Sequence, residues 1–161
     1  MLPGGFLWRE IMVKREEMAA ANFLSGTNCA QAVLMAYADL LGLTEDQAAM
    51  VAVGHGGGMG RLRLHCGAFS AAVMLAGAIE GPDGAEKEHR PLTYARVQEI
   101  HRRFVEVNGT ISCAELLGKA GVPENPTPEE RTPEYYRKRP CERVIRSACR
   151  IIDAMLAERD E

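Results

Sequence analysis

The 161-residue chain contains no long apolar run, no surplus of basic charge and no closely spaced pair of cysteines. Each absence removes a class of function. The most apolar stretch, residues 66–79, is too short to span a bilayer and is interrupted by small residues, so no membrane insertion is expected. Phe6-Leu7-Trp8 runs straight into Arg9 and Glu10, which denies the N-terminus the apolar segment of a signal peptide and points to the cytoplasm. Lys and Arg number 19 against 22 Asp and Glu, giving a formal charge of −3. The basic residues are scattered, so there is no footprint for nucleic acid or anionic lipid. The absence of any CxxC excludes a thioredoxin-type local dithiol and a zinc-ribbon knuckle. No segment alternates as a half-buried strand does, and no internal repeat is present.

What remains is helical periodicity in an ordinary globular composition, 47% hydrophobic and 25% charged. Residues 1–161 are expected to form a single all-α domain, a bundle of about six to seven helices with a glycine-rich loop. The first helix, 8–24, carries Ile11, Met12, Met18 and Phe23 on its apolar face and ends at Gly26. A second, 29–41, has apolar residues at helical spacing, and Thr44-Glu45-Asp46-Gln47 is a capping box that opens a third. Helices are expected next over 66–79, 91–107, 112–117 and 141–158, with Asn108-Gly109 and Gly118 as stops. Five of the eight prolines lie between Pro123 and Pro140, which makes that stretch mostly irregular, with Thr127-Pro128-Glu129-Glu130 able to cap one turn.

The five cysteines are too many and too odd in number for a simple disulfide framework in a reducing compartment. Four of them fall at expected helix starts. Asn28-Cys29-Ala30-Gln31 and Ser112-Cys113-Ala114-Glu115 both read as capping boxes, which places each thiol at the first helical position. Pro140-Cys141 opens the last helix, with proline at its favoured first position and the thiol one residue on. Cys66 follows the glycine run. A helix N-terminus carries about half a positive charge and favours the thiolate, the form that attacks disulfides and ligates metals. Apolar packing alone gives no reason to prefer the first turn. Four inward-facing sulfurs allow two disulfides, one switchable disulfide, or a four-thiolate site for zinc or an iron–sulfur cluster. Cys149 lies mid-face in the last helix and reads as core.

Gly54-His55-Gly56-Gly57-Gly58-Met59-Gly60 lacks the lysine of a P-loop and follows no strand. Its glycines permit positive φ and close approach, so Gly56, Gly57 and Gly58 can offer amides to a thiolate or a cluster, or turn a tight corner between helices. His65, next to Cys66, is a candidate base or additional metal ligand, as is His55. His89 and His101 read as surface residues. The Arg and Glu residues at 14–17 and 129–139 read as solvated faces and ion pairs.

Several of these segments together resemble one family, the redox-active proteins known by their C_GCAxxG_C_C cysteine signature. They are Gly26-Thr27-Asn28-Cys29-Ala30-Gln31-Ala32-Val33, Gly56-Gly57-Gly58-Met59-Gly60-Arg61 with Cys66-Gly67-Ala68, then Gly109-Thr110-Ile111-Ser112-Cys113-Ala114-Glu115-Leu116-Leu117-Gly118, and finally Cys141. The resemblance implies that Cys29, Cys66, Cys113 and Cys141 are the four family cysteines. It assigns them redox activity without a defined reaction. The chain departs from the pattern at Ala71, where the CGAxxG element ends in glycine, and at His55 and His65, where smaller or apolar residues are usual. The expectation is a thiol-based redox protein that cycles between dithiol and disulfide against a partner protein. One alternative is a metal or iron–sulfur module on Cys29, Cys66, Cys113, Cys141 and His65. Another is a helical interaction protein with purely structural cysteines. The composition leaves homo-oligomers open.

Overall fold

Helix ends in this chain are set by side-chain caps and by residues that leave the helical region. The computed structural model describes residues 4–118 and 125–160, with the side chains of all but 4–9, 12 and 13. The Trp8 and Met12 side chains and Pro123 lie outside the described residues.

Helix α1 (Gly4–Leu24) is closed by Gly26 at φ 114°. Asn28 then caps α2 (Cys29–Ala36): its Oδ1 accepts from the Gln31 amide at 3.0 Å, and Gln31 Oε1 accepts from the Asn28 amide at 3.1 Å. Thr44 and Gln47 make the same reciprocal pair at the start of α3 (Glu45–Ala52). A short 3-10 turn and the glycine loop lead to α4 (Gly67–Met74) and α5 (Ala76–Ile79). The long α6 (Arg90–Asn108) stops at Gly109, φ 88°. Ser112 caps α7 (Cys113–Leu116), Thr132 caps α8 (Pro133–Lys138), and α9 (Cys141–Arg159) completes the chain. Among the described residues there is no strand, only one antiparallel bridge between His65 and Ser112. The fold is all-α. No helix among the described residues is long and apolar enough to cross a membrane.

Six of these helices have eight residues or more; of the short ones, α7 lies where a helix is expected, α8 falls in the proline-rich stretch, and α5 arises from a break that periodicity does not reveal. The helix expected over 29–41 ends at Ala36, because Tyr37 leaves the helical region (φ −119°, ψ 15°); a 3-10 turn, Ala38–Leu41, follows. The helix expected over 66–79 is divided at Leu75, whose amide is shared between the Ala71 and Ala72 carbonyls. Pro140 is the cap residue of α9, so Cys141 stands first in the helix rather than second. Ser112 accepts from the Glu115 amide at 3.3 Å. Thr127 caps no turn; Thr132 does so five residues later.

The buried apolar side chains form one continuous cluster. Its centre is α2, packed by α1, α3, α4 and α9, with five of its eight residues buried. Burying a Val, Leu or Ile side chain there stabilises by about 1.5–3 kcal/mol. Cys149 sits in this core, fully buried on α9. Beside it the buried Tyr37 hydroxyl lies 2.7 Å from Asp153 Oδ1 and 3.1 Å from the Cys149 carbonyl. The arrangement directs the N-termini of α2, α4, α7 and α9 towards one another.

Candidate functional site

Each of the four cysteines marks a helix start. Cys29, Cys113 and Cys141 are the first residues of α2, α7 and α9, and Cys66 is the cap residue of α4. All four line one small pocket of about 20 Å³, walled otherwise by Gly67, Leu116, Pro140 and Val144. That is space for about one water-sized body. Above it opens a pocket of about 310 Å³ shared by Cys29, Cys113 and Cys141 but not Cys66. All five cysteines are free thiols.

Two local devices bring the sulfurs together. The first is the short pairing around His65 and Ser112: the Cys66 amide donates to Ile111 O at 2.7 Å, and the Cys113 amide to Leu64 O at 2.6 Å. This sets residues 66 and 113 side by side. The second is missing side chains. A Cβ on Gly67 would stand 2.6 Å from Cys29 Sγ, and one on Gly58 would stand 2.6 Å from Cys113 Cβ, so only glycine permits either approach. The loop between them is strained: Met59, Arg61 and Arg63 all have positive φ, at 68°, 70° and 60°. Such conformations cost of order 1–3 kcal/mol each and cluster at functional sites.

Burial decides the charge state of three of the thiols. It pushes Cys29 up, Cys66 well up, and Cys141 up to about 11. Opposing it, the amides of Ala30, Gly57 and Gly67 favour a thiolate at Cys29, and Arg139 does so at Cys141. The expectation that helix-end placement lowers Cys29 is therefore corrected, because desolvation outweighs the helix terminus. The thiols also sense one another. A charge on Cys29 disfavours one on Cys66 and on Cys141, and Cys113 does the same to Cys29. Cys29 and Cys141 thus each sense all three of the others. Arg63, 4% exposed, donates from Nη1 to Cys113 Sγ at 3.7 Å.

The remaining candidates fall as follows. Gly56 and Gly57 line the open pocket, and Gly58 lies under Cys113. His65 is exposed, edge-on to Phe69 at 6.3 Å, and lines neither cavity. His55 is half-buried, and its Nδ1 has no hydrogen-bond partner among the described residues. Among the described residues, no three His, Cys, Asp or Glu side chains are placed to hold a metal ion.

The sequence reading missed the pocket's charged wall. Glu129 lies 2.6 Å from Arg139 Nη2 and 3.8 Å from Arg63 Nη2. Arg131 is stacked among Phe23, Tyr135 and Tyr136 and donates to the Phe23 and Thr27 carbonyls. These residues are not a simple solvated face. Glu129, Arg131 and Arg139 come from one stretch, but Arg63, Phe23 and Thr27, which they meet, lie far away along the chain, and no local pattern announces those contacts.

Fold and site together define a helical protein in which thiols from the starts of four helices meet over one small pocket. The family model described as "Putative redox-active protein (C_GCAxxG_C_C)" matches residues 27–155, and the chain belongs to that family. No curated protein and no solved structure matches it.

Proposed function

We propose that the protein is a thiol-based redox protein that cycles between a dithiol and an internal disulfide in exchange with a partner disulfide. The observation that carries this reading is the convergence of Cys29, Cys66, Cys113 and Cys141 on one small pocket. Packing alone would not select four helix starts. Cys29 is taken as a member of the first disulfide because it lines both the small pocket and the open one, with its sulfur against Gly67 beside Cys66. Exchange moves two electrons to the partner, and the two protons released by the thiols go to the partner's leaving thiolates. The reading sets the protein in a reducing compartment such as the cytoplasm, where such a couple can turn over. A metal ion or iron–sulfur cluster held by the same four cysteines is the competing reading.

The test is redox titration of native protein in dithiol–disulfide buffers, with peptide mapping and elemental analysis of the anaerobically purified sample. The expected result is reversible loss of two thiols, Cys29 among them, at a defined potential. Stoichiometric zinc or iron holding the thiolates would overturn the reading, as would thiols that oxidise only after unfolding.

A further inference from the structure

We propose that the open pocket above the cysteines binds a small disulfide bearing carboxylate groups, held by Arg63 and Arg139 at the position now taken by the Glu129 carboxylate. This rests on the thiol–disulfide reading above and names its substrate class. The pocket's volume of about 310 Å³ is at the small-molecule end of ligand sites, and three of the four cysteines face it.

The described pocket wall includes Arg61, Arg63, Arg131 and Arg139, and the Glu129 carboxylate is bound between two of them, Arg63 and Arg139. Burying a guanidinium is expensive unless an acceptor meets its planar fork. Arg63 is 4% exposed and the Arg139 side chain 11%, and the same Glu129 oxygen reaches both. The chain thus shows which ligand chemistry this spot accepts. Glu129 comes from an irregular stretch and its side chain is 41% exposed, so an incoming carboxylate can compete for the same two forks. Arg63 also touches Cys113 Sγ, which places the anion site and one sulfur on the same guanidinium.

The chemistry balances without a further reagent. Cys113 Sγ, beside the Arg63 guanidinium, gives up its proton and attacks one sulfur of R–S–S–R. A Cys113–S–S–R bond forms, the substrate S–S bond breaks, and R–S⁻ leaves. Cys29 then attacks Cys113 Sγ, forms the Cys29–Cys113 disulfide and releases the second R–S⁻. Two electrons pass from protein to substrate, and the two thiol protons go to the two leaving thiolates.

The test compares three small disulfides of similar size on the reduced full chain: dianionic 3,3′-dithiodipropionate, neutral bis(2-hydroxyethyl) disulfide and dicationic cystamine. Thiol loss and intact mass report the rate and the adduct. We expect the dianion to react at least tenfold faster than the neutral compound and cystamine more slowly than either, with the spread narrowing as salt rises. Arg139→Gln, and separately Arg61→Gln in case the first variant folds poorly, should reduce the dianion-to-neutral ratio severalfold. Glu129→Gln should raise it, and exposed Lys87→Gln, outside the pocket, should leave it unchanged. If the neutral compound oxidises the same thiols as fast as the dianion, the pocket assignment falls while the thiol reading stands. If no disulfide oxidises the native thiols, both fall.

Discussion

At the scale of single residues, two buried acids report opposite uses of burial. Cys141 lies at the site, and its thiol is pushed up to about 11 by burial and by the neighbouring Cys29, against the pull of Arg139. Only the thiolate is alkylated, so the rate at Cys141 should rise about tenfold per pH unit through pH 8–10 and level off near 11. Peptide-resolved alkylation checks this; a plateau below pH 9 would contradict it. Asp153 lies in the core, where burial raises its carboxyl to about 6 from an ordinary 3.8. Its contribution to stability is complete below about pH 4 and declines as pH rises to about 6, since the unfolded chain ionises first. Above that the cost is constant, roughly 3 kcal/mol before relaxation. Asp153→Asn keeps an oxygen for Tyr37 but must bury an amide donor, so a net gain of about 1–2 kcal/mol at pH 7 is expected, and a loss at pH 4. Urea unfolding of both proteins at pH 4, 5.5 and 7 reads the difference, which should grow with pH. Neither environment is legible in the sequence. Cys149 was recognisable as core from its place on the helix face, whereas the burial that overrides helix-end stabilisation at Cys29 depends on four other elements closing over it.

At the scale of elements, caps were the readable part. Asn28, Thr44 and Ser112 start helices as their spacing indicates, and Gly26, Gly109 and Gly118 end them with positive φ. Asn28 does more than cap: its Nδ2 also donates to Val53 O at 2.9 Å, tying the start of α2 to the entrance of the glycine loop. Asn28→Ala should cost about 1–2 kcal/mol, at the upper end for a cap, and speed modification of Cys29 in the folded state. Chemical denaturation and alkylation under native conditions measure the two effects. An unchanged Cys29 rate despite the stability loss would show that the loop is held by other contacts. What the sequence did not show at this scale is the pairing of residues 63–66 with 111–114. It rests on four backbone hydrogen bonds or fewer, carries no alternating pattern, and joins segments on either side of α4–α6. The divided helices at Tyr37 and Leu75 were hidden for a related reason. Their residues are apolar in helical register on both sides; at Tyr37 the hydroxyl is held by α9, and at Leu75 the amide is shared among carbonyls of the preceding turn.

At the scale of the whole molecule, the four cysteines join the beginning, middle and end of the sequence through one point. A disulfide formed there would constrain the entire chain. Linking Cys29 to Cys113 closes a loop of about 85 residues, for which the chain-entropy model gives about 4.5 kcal/mol of stabilisation, less any strain. In a protein of this size each kcal/mol moves the melting temperature by about 2–4 °C, so the oxidised form should melt several degrees, and up to about 15 °C, above the reduced form. The positions most remote from the site feel the same link. Helix α9 packs on α1, α2 and α6, so oxidation at one end of the bundle should slow amide exchange along its length. Scanning calorimetry on matched oxidised and reduced samples, with non-reducing mass analysis to establish that the link is within one chain, provides the measurement. A melting temperature that is unchanged or lower after intramolecular oxidation would mean that the cysteines meet only by distorting the bundle. The cavity would then be a packing feature, since a redox couple that strains its own fold would remain reduced at ordinary cellular potentials.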